Sequence, residues 1–296
     1  MIGAIDIGGT KFAVGLVSET GKVLARSETA SRPEREADAG ISNIIDMLRT
    51  LSSQVGGSLQ GIGVGCTGPV YPLTGELGNI QFLPGWEGIN LVQKMQDAFG
   101  VRAAIENDAD AAALGESVWG AGKGTQRFIY LTVSTGIGGG FVSDGQLYRG
   151  VDGSHPEMGH HVIDPSGPKC FCGAHGCWES LASGPALAQR GRRTTAREVC
   201  EAARRGDADA RAAIEQEGLY LGLGLANLIT MFVPDRIALG GGVMQSRELF
   251  WDKMLATIRT MCGLVPYEKT QILPATLGRD VALLGAAQVW IKRFRQ

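Results

Sequence analysis

Residues 2–25, IGAIDIGGTKFAVGLVSETGKVLA, predict a strand, a glycine-rich turn, a second strand, a turn at Gly21 and a third strand. Residues 128–150, FIYLTVSTGIGGGFVSDGQLYRG, repeat this pattern about 125 positions later. The second turn of this copy is Asp144-Gly145, which is a strong hairpin signal. Two copies of one supersecondary unit predict two similarly built lobes.

The rest of the chain alternates between helical and strand patterns. Helices are predicted around 40–54, over 90–99, from Asp108 onward and over 219–232, and Thr195 with Glu198 resembles a capping box. Buried strands are predicted within 59–70, up to Ile105 and at the start of DRIALGGGVM, residues 235–244. A loop rich in Gly and Pro covers 69–88. This alternation is typical of the α/β class.

Composition excludes several functional classes. The 296 residues suffice for one large or two medium domains, and the net charge of −2 argues against a nucleic-acid partner. No signal peptide precedes the first strand, and no apolar stretch is long enough to span a bilayer. We therefore expect a cytoplasmic protein, in whose reducing surroundings cysteines serve as metal ligands, nucleophiles or buried apolar residues.

The glycine-rich turns suggest phosphate binding. A strand that ends in Gly-Gly-Thr-Lys, at residues 8–11, brings bare backbone N–H groups, a hydroxyl and a lysine close to an anion. Neither turn fits the Walker pattern, and GIGGG at 136–140 precedes a strand where a dinucleotide fingerprint needs a helix. One such turn is equally well explained as a tight hairpin. Two turns together with LGGG at 239–242 favour phosphate.

Residues 155–179, HPEMGHHVIDPSGPKCFCGAHGCWE, contain all four histidines and three of the six cysteines. A structural zinc site needs four nitrogen or sulfur ligands, so one histidine must join the three thiols. Spacing alone does not choose that histidine, and free thiols or a disulfide are the alternative. The competing histidines are His155, His160, His161 and His175. The scattered cysteines, Cys66, Cys200 and Cys262, are expected in the core.

Four motifs together resemble the ROK family of bacterial sugar kinases, which belongs to the actin-like and hexokinase-like ATPases. They are AIDIGGTK at 4–11, VSTGIGGG at 133–140, LGGGV at 239–243, and the ExGH and CxCGxxGCxE patterns within 155–179. The resemblance implies a two-lobed α/β fold of the actin-like, ribonuclease H-like and hexokinase type, with a zinc knuckle. It also implies ATP in the cleft and a homodimer. Residues 1–117 would form one lobe, on which a C-terminal helix at about 283–296 packs, and 118–282 the other, with the knuckle at 155–179.

The resemblance assigns candidate residues to each group. The metal ligands would be His160, Cys170, Cys172 and Cys177. The nucleotide and its Mg²⁺ would be held by Asp6, Gly8, Gly9, Thr10, Lys11, Thr135, Gly136, Gly138, Gly139, Gly240 and Gly241, although Lys11 is alternatively only exposed on its strand. The sugar would contact Asn107, Asp108, Glu157, His160 and Glu179, with Gly68, Asn79 and Trp86 as candidate walls. Trp86 is equally suited to anchor its loop.

Asp108 is the candidate general base. Phosphoryl transfer to a hydroxyl needs a proton acceptor, and the resemblance places Asp108 in that role. From the residues alone a helix N-cap is the favoured alternative, since Asn107-Asp108 lies where a strand ends and a helix begins. Glu106 and Asp110 are less favoured candidates for the base.

The resulting expectation is an ATP-dependent kinase that uses Mg²⁺, carries a structural Zn²⁺ and phosphorylates the primary 6-hydroxyl of a hexose. Glucose ranks first, N-acetylmannosamine second and fructose third, with N-acetylglucosamine a further alternative. Repressors of the family place a helix-turn-helix ahead of the kinase-like portion, and here the first phosphate loop begins within ten residues of Met1. A catalytically silent sugar-binding regulator remains the non-enzymatic alternative.

Overall fold

The computed structural model describes residues 1–31 and 36–295. The chain forms two compact units. The first comprises Met1–Gly124, Gly140–Pro156 and Thr276–Gln296, and the second comprises Thr125–Gly139 and Glu157–Ala275. Gln296, the last residue of the predicted C-terminal helix, lies outside the described residues.

The first unit contains a five-stranded sheet in the order β3-β2-β1-β4-β7. The predicted strand-turn-strand-turn-strand pattern is confirmed as the antiparallel β1, β2 and β3, and β1 continues in parallel with β4 and then β7. The strands are β1 (Ile2–Ile7), β2 (Lys11–Val17), β3 (Val23–Ala30), β4 (Gly61–Cys66), β5 (Val70–Tyr71), β6 (Glu76–Leu77) and β7 (Ala103–Asn107). The helices of this unit are α1 (Ala37–Val55), α2 (Leu91–Phe99), α3 (Asp108–Trp119) and α9 (Val281–Phe294).

The C-terminal helix α9 packs against α3, β1 and β4. This packing explains the small residues of β4, because a side chain at Gly63 would collide with the carbonyl of Ala286. On the other face of the sheet, α1 and α2 bury their apolar residues against the strands in one continuous core. The first unit is thus a sheet covered by helices on both faces, with the carboxyl ends of β1, β4 and β7 at one edge.

The second sheet has the order β10-β9-β8-β11-β12. Its strands are β8 (Arg127–Val133), β9 (Ile137–Ser143), β10 (Gln146–Leu147), β11 (Arg236–Gly240) and β12 (Gln271–Pro274). Asp144 and Gly145 both have positive φ, of 51° and 77°, as the predicted two-residue hairpin turn requires. Strand β11 pairs in parallel with β8 and β12.

The helices of the second unit are α4 (Trp178–Ala182), α5 (Gly184–Arg190), α6 (Ala196–Arg204), α7 (Ala208–Phe232) and α8 (Trp251–Met261). Thr195 caps α6 as predicted, since its hydroxyl accepts a hydrogen bond from the Glu198 N–H (3.2 Å). Helix α7 begins eleven residues before the predicted 219, at a cap formed by Asp207. No helix in the described part of the chain combines the length and the hydropathy needed to cross a bilayer.

Candidate functional site

The first hairpin exposes the predicted phosphate residues. The Gly8 N–H donates to the Lys11 carbonyl (3.0 Å) and closes the turn between β1 and β2, so that Thr10 and Lys11 lie exposed. A side chain at position 9 would place its Cβ 2.6 Å from the Cβ of Phe82. Glycine at this position avoids the collision. The turn therefore presents backbone and a hydroxyl to solvent, as a phosphate cradle requires.

Asp6 is partly buried near the end of β1, the strand that precedes this turn. Burial is the main cause that raises the pKa of Asp6 to about 7, and the Asp108 carboxylate adds to the rise. The Lys11 cation acts in the opposite direction and lowers the pKa. Lys11 Nζ itself lies 3.4 Å from Glu28 Oε1 on the surface of the sheet, so its exposed position on the strand is observed. A divalent cation favours the ionised form of neighbouring carboxyls, and oxygen ligands are those that Mg²⁺ prefers. Asp6 thus fits a magnesium ion beside the phosphate turn.

The candidate base lies where β7 passes directly into α3. Asn107 Oδ1 accepts hydrogen bonds from the N–H groups of Ala109 (2.9 Å) and Asp110 (3.3 Å), so Asn107 caps the helix. Asp108 is the first residue of the helix, and its Oδ1 shares the Ala109 N–H (2.8 Å). The capping role that competed with a catalytic role for Asp108 therefore belongs mainly to Asn107.

Burial separates Asp108 from the two alternative bases. Asp108 is partly exposed, whereas Glu106 is 4% and Asp110 0% exposed. Glu106 is also held by a two-pronged ion pair with Arg149. Arg149 escaped the sequence analysis because a single arginine without a pattern around it carries no signal. Of the three carboxyls, Asp108 is the one that is partly exposed.

The predicted sugar-pocket walls have three different environments. Gly68 lies against Asn107, whose Nδ2 would be 3.3 Å from a Cβ at position 68. Asn79 is exposed in the loop that precedes α2. Trp86 is only 3% exposed and packs on Phe12, with ring centroids 5.7 Å apart. Trp86 is thus the hydrophobic anchor of its loop, the alternative that the sequence left open.

The second hairpin exposes Thr135 between β8 and β9. Glu179, on α4, accepts a hydrogen bond from the Ile137 N–H (2.8 Å), and a side chain at Gly136 would collide with this carboxylate. Gly138 is partly exposed, whereas Gly139 is buried. The hairpin and the candidate sugar ligand Glu179 are therefore joined directly within the second unit.

The third glycine cluster lies against the same hairpin. Gly241 has a φ of 95°, and a side chain there would collide with the Val133 carbonyl at the end of β8. Gly240 ends β11, which pairs with β8. The structure thus brings together the second and third of the predicted nucleotide segments.

The predicted metal ligands converge on one point. One ligand atom from each of His160, Cys170, Cys172 and Cys177 lies within 4.8 Å of all the others. The Nδ1 of His160 is 3.5 Å from the sulfur of Cys170, and the sulfurs of Cys172 and Cys177 are 3.5 Å apart. Tetrahedral zinc with Zn–S bonds of about 2.3 Å separates its sulfur ligands by about 3.8 Å, so the donor set fits zinc. Among the four histidines, all of which are described, His160 is the one in the cluster.

The metal cluster and the candidate sugar acids share one region. His160 turns its Nε2 toward Glu179, 4.0 Å from Oε1. Burial raises the pKa of Glu179, and the neighbouring Glu157 carboxylate adds to this rise. The two acids are therefore close enough to interact, at the side of the cluster where His160 has a ring nitrogen free of cysteine.

Comparisons with known proteins agree with this architecture. The profile of the ROK family matches residues 2–293, and the chain belongs to this family. It is similar to a ROK hexokinase from Thermus thermophilus, at 32% identity with a TM-score of 0.88, over 100% of this chain and 99% of that one. It is also similar to a ROK family glucokinase from Streptomyces griseus in complex with glucose and AMPPNP, at 32% identity with a TM-score of 0.82, over 97% of both chains.

A relative of a different kind is the xylose repressor of Bacillus subtilis strain 168. It is 34% identical over 85% of this chain and 67% of the repressor. The family membership and the α/β fold of actin-like, hexokinase-type ATPases that the sequence predicted are confirmed. The individual roles of the site residues stay predictions.

Proposed function

We propose that this chain is an ATP-dependent hexose kinase that transfers a phosphoryl group to the primary 6-hydroxyl of glucose. The observation that carries the proposal is the junction of β7 and α3, where Asn107 caps the helix and Asp108 stays partly exposed near Asp6. The family relatives named as hexokinase and glucokinase support a sugar kinase, and the glucose and AMPPNP complex supports these two classes of substrate.

In the first unit, the residues bind sugar and activate its hydroxyl. The Asp108 carboxylate accepts the proton of the 6-hydroxyl while the oxygen attacks the γ-phosphorus, and the bond to the leaving ADP oxygen breaks. Asn107, Gly68 and Asn79 position the sugar. Residues 8–11 receive phosphate oxygens, and Asp6 would hold Mg²⁺, which when bound neutralises charge on the phosphates.

In the second unit, Thr135, Gly136, Gly138 and Gly139 contact phosphates, and Gly240 and Gly241 lie beside the adenosine. Glu157, His160 and Glu179 accept or donate hydrogen bonds with sugar hydroxyls. A zinc ion held by His160 and the three cysteines would have a structural role, because all four positions of a tetrahedral site are filled by protein. The cluster then fixes the direction of the two glutamates.

A sugar-binding regulator without catalysis is the second candidate, favoured by the 34% identity to the xylose repressor. Such a protein would bind the sugar, but its Asp108 would not be required for any turnover. The two candidates therefore differ in one measurable property, which is sugar-dependent release of ADP.

The test measures ADP release with glucose, with product identified as the 6-phosphate by mass spectrometry. We expect turnover in the wild type, and Asp108→Asn should lower kcat by roughly 10²-fold to 10⁴-fold because proton acceptance is lost. Asp97→Asn, exposed on α2, is the matched control and should retain full turnover. Glucose binding without turnover in the wild type would support the regulator, and near-normal turnover of Asp108→Asn would remove the base assignment.

A further inference from the structure

Every second residue from 106 to 110, across the junction of β7 and α3, is acidic, and the middle one is the candidate base. Glu106 is in β7, Asp108 begins α3 and Asp110 lies in its first turn. Arg149, from the segment after β10, reaches the residues on both sides of Asp108. One guanidinium is thus set against two buried carboxyls that flank the base.

The contact with Glu106 is a fork. Arg149 Nη1 donates to Glu106 Oε1 at 2.9 Å, and Nη2 donates to Oε2. Glu106 Oε1 also accepts from the Asn107 N–H at 3.3 Å, next to the base. Arg149 Nη1 further approaches the Gly153 carbonyl (3.5 Å), which holds the arginine to its own loop. A planar fork of this kind fixes direction as well as charge.

The approach to Asp110 lies on the other side of the base. Arg149 Nη1 is 4.0 Å from Asp110 Oδ2. Asp110 is completely buried, and within the described residues neither of its carboxyl oxygens has a hydrogen-bond partner. A side chain at Gly140 would lie 2.7 Å from Asp110 Oδ1, so β9 closes tightly over this carboxyl. A buried carboxyl without hydrogen bonds depends on neighbouring groups for electrostatic support, which here comes from His155 and Arg149.

We propose that Arg149 is a positioning residue for the base: by binding Glu106 before it through the fork and facing Asp110 after it, the guanidinium fixes the turn from which the Asp108 carboxylate projects. The inference rests on the proposed kinase function. It assigns Arg149 no contact with substrate. Loss of the fork leaves sugar and ATP binding in place but lets the Asp108 carboxylate leave its productive direction, and a small displacement of a catalytic group is costly.

The test compares three variants in the glucose-dependent ADP assay and in urea unfolding. Arg149→Gln should lower kcat about tenfold to a hundredfold with little change in the KM for glucose. It should also lose stability, because Glu106 is left buried without its cation. Arg49→Gln, exposed on α1 and paired at the surface with Asp46, is the matched control and should leave kcat unchanged.

The double variant Glu106→Gln/Arg149→Gln separates positioning from structural support. It removes the buried charge of Glu106 together with its part-buried cation, so the stability lost through Glu106 should recover, while kcat should stay low because the fork is still absent. Recovery of kcat together with stability would overturn the proposal, as would a folded Arg149→Gln variant with wild-type kcat. Absence of glucose-dependent turnover in the wild type would instead overturn the proposed function, and the positioning role with it.

Discussion

Three carboxyl groups at the start of α3 show how burial assigns different chemistry to identical functional groups. Asp108 is partly exposed, Glu106 is paired with Arg149, and Asp110 is buried beneath Gly140. Burial is the main cause that raises the pKa of Asp110 to about 7, and the charge of Glu106 adds to the rise. His155 and Arg149 act in the opposite direction and lower the pKa. Asp110 is therefore largely protonated in slightly acidic solution.

The raised pKa of Asp110 predicts a pH-dependent stability difference. Between about pH 4, near the unfolded pKa, and about pH 7, the folded state binds a proton that the unfolded state lacks, so stability falls as pH rises. Asp110→Asn removes this titration. The free energy of unfolding of the wild type, relative to Asp110→Asn, should fall from pH 5 to pH 7 by up to about 1.4 kcal/mol per unit.

Urea unfolding at several pH values measures this difference, with Asp97→Asn on the exposed face of α2 as the control. A difference that stays constant, or that grows in favour of the wild type with rising pH, would contradict a protonated Asp110.

At this scale the sequence predicted residues that belong to patterns. The three cysteines could be named because their short spacing and the intervening glycines constrain the geometry, whereas the choice of His160 among four histidines needed the family resemblance. The four ligand atoms are found together. Arg149 could not be named, because its partners Glu106 and Asp110 lie about forty residues earlier and only the fold brings them together. Burial of Trp86 could not be predicted either, since an aromatic residue in a loop suits a pocket wall and an anchor equally.

Secondary-structure elements with strong local sequence signals were predicted correctly, whereas the start of an amphipathic helix was placed too late. The hairpins formed as expected because glycine and Asp-Gly turns restrict the backbone directly. Helix α7 was predicted from its apolar second half, whereas its first half is amphipathic and starts at the Asp207 cap. Apolar periodicity marks the buried part of a helix and not its beginning.

The cluster of His160, Cys170, Cys172 and Cys177 is the candidate zinc knuckle, and its loss should affect binding directly. We expect about one zinc per purified chain, and Cys172→Ser should lose the metal because one tetrahedral ligand is removed. Sugar affinity should fall as well, since Glu157 and Glu179 flank the cluster. Elemental analysis and sugar titration measure both effects. Cys200→Ala, a buried cysteine outside the cluster, is the control, and active protein without zinc would contradict the assignment.

Glu116 in α3 ties two loops to its helix. It is completely buried, and its carboxylate accepts hydrogen bonds from the N–H groups of Ala121 (2.7 Å), Thr276 (2.9 Å) and Leu277 (2.8 Å). Glu116→Gln replaces one accepting oxygen by an NH₂ group that faces donors, so the free energy of unfolding should fall by about 1–3 kcal/mol. Glu201→Gln, exposed on α6, is the control and should change the free energy of unfolding little in the same urea titration. Equal stabilities of the two variants would show that the hydrogen bonds of Glu116 to the two loops are dispensable.

For the whole molecule, the alternation of strand and helix patterns predicted the α/β class, and the family resemblance predicted the actin-like, hexokinase-type fold. The family relatives confirm both. The sequence pattern could not predict which segments of the chain belong to which unit. Strand β9 begins in the second unit and ends in the first, and α9 returns to the first unit from the end of the chain. Such crossings are decided by long-range contacts, which leave no trace in local composition.

Choice of sugar is a property of the whole chain, and glucose should be its best substrate. With Trp86 buried, the candidate walls that remain are Gly68 and the exposed Asn79, and neither is dedicated to an N-acetyl group. The Streptomyces griseus relative is bound to glucose.

Side-by-side kinetics should therefore give a kcat/KM for glucose at least about tenfold above that for N-acetylmannosamine, because one unsatisfied polar group of about 1.4 kcal/mol produces such a factor. Fructose should follow at a lower value, and all products should carry phosphate on the primary hydroxyl. Glucose 6-phosphate added as product standard controls for detection. A kcat/KM for glucose well below that for an N-acetylated hexosamine or for fructose would reverse the ranking, while sugar-dependent ADP release would still identify a kinase.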